Sequence, residues 1–184
     1  MSERTYWRTL SRATLFCSKW YNLQQDQVAL PNGAEITYTW VEHPGCAVVV
    51  PLTAEGNVVM QRQYRYTVNE TLLELAAGAF NPEDADAPLH CAVRELREEQ
   101  GLVAGRWTAL GSFHTAIGIS NVTAHAFLAE QLTEVGSDLE VTEQQAGFES
   151  VSIPFVEAVE MCYDGRISDG LTIIAMLRAA RLRL

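Results

Sequence analysis

The chain has 184 residues and a formal net charge of −10, with 48% hydrophobic and 20% charged residues, enough for one domain with a substantial core. So acidic a chain lacks the basic face that phosphate-backbone binding needs, which argues against a nucleic-acid partner. No apolar run reaches the length of a membrane span, and Met1 to Arg4 lead into no signal-peptide core; the chain is therefore read as cytoplasmic, with no membrane partner.

In chain order, residues 12 to 66 read as strands and turns. Val28-Ala29-Leu30 stops at the turn signal Pro31-Asn32-Gly33. Glu35 to Val41 alternates and is rich in β-formers. Cys46 to Leu52 is a near-continuous apolar run, as expected of a buried strand. The turn Ala54 to Asn57 then predicts a hairpin with the strand Val58 to Arg65. Leu72 to Leu75 is a short strand ending at Ala76-Ala77-Gly78, followed by an acidic loop.

The first helix starts after that loop, with Asp86 as N-cap, Pro88 in the first turn and Gly101 as the stop. Its apolar face is predicted as Leu89, Ala92, Val93 and Leu96. Strands resume at Trp107 to Thr115 and at Val122 to Ala129, and the acidic stretch from 130 to 146 reads as a loop. A strand over Phe148 to Ile153, a helix over Pro154 to Tyr163 and a last helix from Asp169 to Arg183 complete the chain. This order of elements implies an α/β or α+β fold, with helices packed on a mixed sheet.

Charge is uneven along the chain. Between Arg106 and Arg166 there is no Lys or Arg, but there are nine acids. Such a bias fits a solvated acidic surface, or an acid that reaches into a metal site. Cys17, Cys46, Cys91 and Cys162 form no CxxC pair, so neither a zinc site nor a disulfide framework is expected.

Glu95, Glu98 and Glu99 carry the chemistry. On a helix, positions i, i+3 and i+4 share a face, where three carboxylates repel one another. Arg94 and Arg97 offset that in part, and a solvated face with Arg–Glu pairs is one reading of the pattern. A hard divalent cation would offset it more fully, and oxygen-only ligands suit Mg²⁺ or Mn²⁺.

With its flanks, this segment resembles the Nudix box, G-x5-E-x7-R-E-U-x-E-E-x-G-U, where U is aliphatic. Arg94, Glu95, Leu96, Glu98, Glu99, Gly101 and Leu102 match it, and Gly78 matches its opening glycine. The stretch from Gly78 to Arg94 is two residues longer than the pattern, and an aspartate, Asp86 or Asp84, replaces the first glutamate. Leu30 to Gly33, His43 to Gly45, Val49 to Leu52, Gln63 to Tyr66, Leu73 to Gly78 and Asp164 to Asp169 resemble the ADP-ribose and ADP-sugar pyrophosphatase branch. A Ser-Pro-Gly segment common in that branch is replaced by Thr115-Ala116-Ile117-Gly118.

The resemblance implies an α/β/α sandwich, a mixed sheet with helices on both faces. It implies a catalytic domain over 45 to 184, preceded over 1 to 44 by strands that could form a small dimerisation sheet. The implied reaction is metal-dependent hydrolysis of the pyrophosphate bond of ADP-ribose or another ADP-sugar to two monophosphates. Glu95, Glu98, Glu99 and the carbonyl of Ala77 would hold Mg²⁺, or Mn²⁺ in its place. Arg94 would orient the carboxylates. Arg65, Glu74 and Gly78 would line the substrate site, though a surface arginine and a strand salt bridge fit Arg65 and Glu74 equally. A general base is expected past the box, Glu143 first and Glu149 second. The implied partners are a small nucleotide and a second copy in a homodimer. The longer loop, the substituted acid and Ala146 also leave open a non-catalytic nucleotide-sensing module, or a Nudix hydrolase of a different nucleotide.

Overall fold

The computed structural model describes residues 6–81, 87–139 and 144–183. Asp84, Asp86 and Glu143 lie outside the described residues. The chain divides into two compact units, Met1–Pro44 with His114–Val122, and Gly45–Phe113 with Thr123–Leu184.

The first unit holds an antiparallel sheet of β1 (Arg8–Cys17), β2 (Asn22–Ala29) and β3 (Glu35–Glu42), in that order. β1 is exposed along its whole length, so it carries no inside–outside alternation from which the sequence could announce it. On β2 the inward face is largely polar: Gln24 and Asp26 are buried beside Val28. Asp26 is satisfied there by a bidentate contact from Arg12 at 2.8 and 2.9 Å and by the Trp40 indole N–H at 3.2 Å. Buried charge is tolerated when paired and hydrogen-bonded in this way.

The second unit contains two sheets. One is mixed, in the order β7 (Ala77–Ala79), β4 (Cys46–Pro51), β9 (Thr123–Glu134) and β8 (Leu102–His114). In it β4 runs parallel to β9 and antiparallel to β7. The other has the order β10 (Glu149–Pro154), β5 (Asn57–Arg65) and β6 (Glu70–Glu74), all antiparallel. Strand alternation splits the side chains of β4 between two cores. Val48 and Val50 join Met60, Leu75 and Leu128 beneath α2 (Phe155–Asp164) and α3 (Gly170–Arg183). Ala47 and Val49 join Phe127, Cys91, Ala92 and Leu96 beneath α1 (Ala87–Gln100). Helices thus cover both faces of the mixed sheet, as the sequence implies. No helix among the described residues is long and apolar enough to cross a membrane.

Three local expectations are corrected. The predicted β4–β5 hairpin is reduced to one isolated bridge, Leu52 to Val58. Both edges of β4 are already taken by β7 and β9, so β5 pairs elsewhere. The supposed acidic loop begins late, because β9 continues to Glu134. Glu130 is buried there against Arg106 at 2.5 Å and against Arg183. Finally, the buried stripe of α1 is Cys91, Ala92, Glu95, Leu96 and Glu99, while Leu89 and Val93 are each 40% exposed. The helix is rotated so that two of its glutamates, rather than two of its aliphatics, face inward.

Candidate active site

The site forms where α1 meets β7 and the end of β6. Gly101 closes α1 in the left-handed conformation, φ 65°, which glycine adopts without strain. At the other side, the buried Thr172 of α3 accepts the Leu75 N–H through its hydroxyl at 3.0 Å. Asp169 caps α3 by accepting the Thr172 N–H at 2.8 Å. These contacts fix the chain from Glu74 into Ala77 and Gly78. The segment from Asp164 to Asp169 therefore serves the fold visibly, since Gly165 ends α2 at φ 84°, Ile167 is buried, and Asp169 starts α3.

The structure brings most of the predicted residues together. Glu95 and Glu99 are 7% and 5% exposed. The Ala77 N–H donates to Glu99 Oε2 at 3.2 Å. Gly78 lies so close to Glu95 that a Cβ there would overlap the carboxylate. Arg94 joins the set from the rim: it contacts Glu95 at 2.5 Å, donates to Glu98 at 2.9 Å and to the Ala79 carbonyl at 3.1 Å. Burial works against the Arg94 charge, but Glu95 and Glu98 outweigh it and raise the guanidinium above its ordinary value.

Arg65 and Glu74 are also close, but to each other. Their contacts are 2.9, 2.9 and 2.5 Å, with Glu74 buried. The hydrogen bond to Glu74 is the largest of the effects that raise the Arg65 pKa. Glu149 is not brought to this face. It stands opposite Arg62 at 3.4 Å, whereas Glu74 pairs in register with Gln61. Adjacent strand residues point to opposite faces, so Glu149 points away from Glu74.

Cys91 is a buried free thiol beside the site, a contact that sequence reasoning did not single out. Its thiol lies 3.2 and 3.4 Å from the carbonyls of Gly78 and Ala79. Burial pushes that thiol up to about 11, so it stays protonated and can donate. Its position i−4 from Glu95 was the available signal.

The donor set fits a hard cation. It consists of oxygens on one helical face, two of them from buried carboxylates. As placed, Arg94 holds Glu95 and Glu98, and Glu99 faces the Ala77 N–H. Among the described residues no three acidic, imidazole or thiol side chains are gathered on one point. A cation held by Glu95 and Glu98 would replace the Arg94 contact, and the Glu98 side chain is half-exposed.

A family of hydrolases is defined by this fold and this helix. The NUDIX domain model matches residues 42–161, and the chain belongs to the Nudix family of hydrolases, whose chemistry generally needs a divalent metal. Its N-terminal part, residues 7–41, matches the nucleoside diphosphate sugar hydrolase N-terminal domain. The chain is 36% identical over 178 residues to an ADP-ribose pyrophosphatase of Mycobacterium tuberculosis, covering 96% of this chain and 84% of that one. It is 30% identical over 169 residues to an ADP-ribose pyrophosphatase of Bacillus subtilis, covering 92% and 90%. A GDP-mannose pyrophosphatase of Yersinia enterocolitica is 28% identical over 176 residues, covering 90% and 91%. A crystal structure of an ADP compounds hydrolase shares the fold, with a TM-score of 0.80 at 18% identity, covering 97% of this chain and 94% of that one.

Proposed function

We propose that this Nudix hydrolase cleaves the pyrophosphate bond of ADP-ribose or another ADP-sugar with Mg²⁺, releasing two monophosphates. The observation that carries the reading is the pair of buried carboxylates, Glu95 and Glu99, held on one turn of α1 against Ala77 and Gly78. Burying two carboxylates costs free energy that pairing offsets: Arg94 and the Ala77 N–H supply part of it, and a bound divalent cation would supply more to both. The names of the Mycobacterium tuberculosis and Bacillus subtilis relatives, each at least 30% identical to this chain, support the substrate class.

Glu95, Glu98, Glu99 and the Ala77 carbonyl would hold the ion. When bound, it would neutralise phosphate oxygens and acidify a water. Arg94 orients Glu95 and Glu98. Glu74 holds the Arg65 guanidinium, leaving part of it to reach a phosphate oxygen. Glu143 is assigned as general base, since Glu149 lies on the opposite strand face. Residues 1 to 44 are assigned to dimerisation: β1 is a sheet edge with exposed Leu10, Leu15 and Phe16. Sedimentation velocity giving only monomer would remove that assignment.

The test is Mg²⁺-dependent release of AMP from ADP-ribose, run beside GDP-mannose and other nucleotide sugars. Glu99→Gln is expected to lower the rate by about 10²–10³, the scale of removing one electrostatic stabiliser. Equal rates for wild type and Glu99→Gln would overturn the assignment.

A further inference from the structure

Val59, Gln61, Gln63 and Arg65 alternate onto one face of β5. Val59 packs into the core beneath α1, but from Gln61 onward that face turns polar. Gln61 is completely buried, and its amide nitrogen has no hydrogen-bond partner. Its amide oxygen accepts from Gln100 Nε2 at 2.6 Å, and Gln100 Oε1 accepts from the Ser150 hydroxyl at 2.7 Å.

The two hydrogen bonds do not depend on which way the amides are turned. Exchanging the oxygen and nitrogen ends of both glutamines keeps both hydrogen bonds, with Gln61 donating to Gln100 and Gln100 donating to Ser150. As assigned, the amide nitrogen of Gln61 is the atom left without a partner. A buried amide atom without a partner is costly, and an apolar side chain of the same length would avoid the cost. Gln61 is also tied to the helix that carries the candidate metal ligands. It pairs in register with Glu74 on one side and Ser150 on the other, and it is bonded to Gln100, the neighbour of Glu99.

We propose that Gln61 is a positioning residue for the metal site: through Gln100 it fixes the last turn of α1, and with it Glu99, while its second amide atom engages a water or carboxylate of the bound ion's shell. Outer partners of this kind orient metal ligands. The inference rests on the function proposed above.

Mn²⁺ binding to the full-length protein, followed by the electron paramagnetic resonance of free Mn²⁺, reads the site without turnover. Gln61→Met is expected to bind Mn²⁺ about tenfold more weakly, with its thermal midpoint unchanged or raised. Wild-type affinity, or a loss that accompanies a falling midpoint, overturns the proposal. Should Gln61→Met fail to fold, Ser150→Ala takes its place, breaking only the exposed end of the relay; unchanged Mn²⁺ affinity there overturns it. Glu99→Gln separates the two levels. If it binds Mn²⁺ like wild type, the site assignment itself fails. If it loses the ion while Gln61→Met keeps it, the role of Gln61 alone fails.

Discussion

At the residue scale, Gly78 is the sharpest constraint in the site. A Cβ there meets the end of the Glu95 side chain, not backbone. The carboxylate can swing aside, so Gly78→Ala should fold with a near-normal thermal midpoint while Glu95 is displaced. The expected outcome is Mn²⁺ affinity weakened by about 10–100-fold, the range for disturbing a ligand's support, measured by metal titration. A wild-type titration curve would show that Glu95 does not need the space. The spacing of Glu95, Glu98 and Glu99 was legible in the sequence, because helical periodicity puts acids three and four apart on one face, and Gly78 and Arg94 were legible through the resemblance to the Nudix box. The Arg65–Glu74 pairing was legible only as an alternative, since register between β5 and β6 decides it. The contacts of Cys91 and Gln61 beside the site were not legible in the sequence. Each contact forms only when strand and helix pack.

At the element scale, α1 shows how tertiary packing overrides an amphipathic reading. Leu89 and Val93 fit the helical spacing but stay exposed, and Glu95 and Glu99 take the inward arc. Apolar periodicity cannot rank a buried carboxylate above an exposed leucine, so the rotation of the helix was hidden. The end of α1 was legible, because glycine after a helical run is a stop signal with a backbone reason. Gly101→Ala tests that reason. Its φ of 65° is left-handed, and a Cβ would stand 2.6 Å from the Ser137 backbone nitrogen. Adopting that conformation costs a side-chain-bearing residue about 1–2 kcal/mol, and backbone cannot yield as Glu95 can. Urea unfolding should show a loss of at least that size. An unchanged midpoint would mean that the turn after α1 rearranges freely. The β4–β5 hairpin failed for another reason of pairing: a short turn predicts adjacency, but not whether the strand edge is already occupied.

At the scale of the whole molecule, the acidic balance makes pH the informative variable. In the N-terminal sheet the Asp26 carboxyl is held below its ordinary range chiefly by the hydrogen bonds from Arg12, against the opposing effect of burial, with help from Trp40. Glu42 is lowered by Asn22 and then Gln24. Groups with depressed folded values stabilise the fold fully above their unfolded values, about 3.9 for Asp and 4.3 for Glu. That contribution is lost as pH falls through the folded values, because protonation then removes the charge that Arg12 and the amides bind. The sheet should therefore loosen below about pH 4, near those unfolded values, and it should do so sooner at high salt. Asp26→Asn should be less stable than wild type at pH 7, with the difference smaller at about pH 3, below the unfolded value of about 3.9, and vanishing only below the depressed folded value. The Trp40 indole N–H, which donates to Asp26, gives a local nuclear magnetic resonance probe of the event. If the deficit of Asp26→Asn were the same at both pH values, Asp26 would contribute only shape to the sheet and not charge.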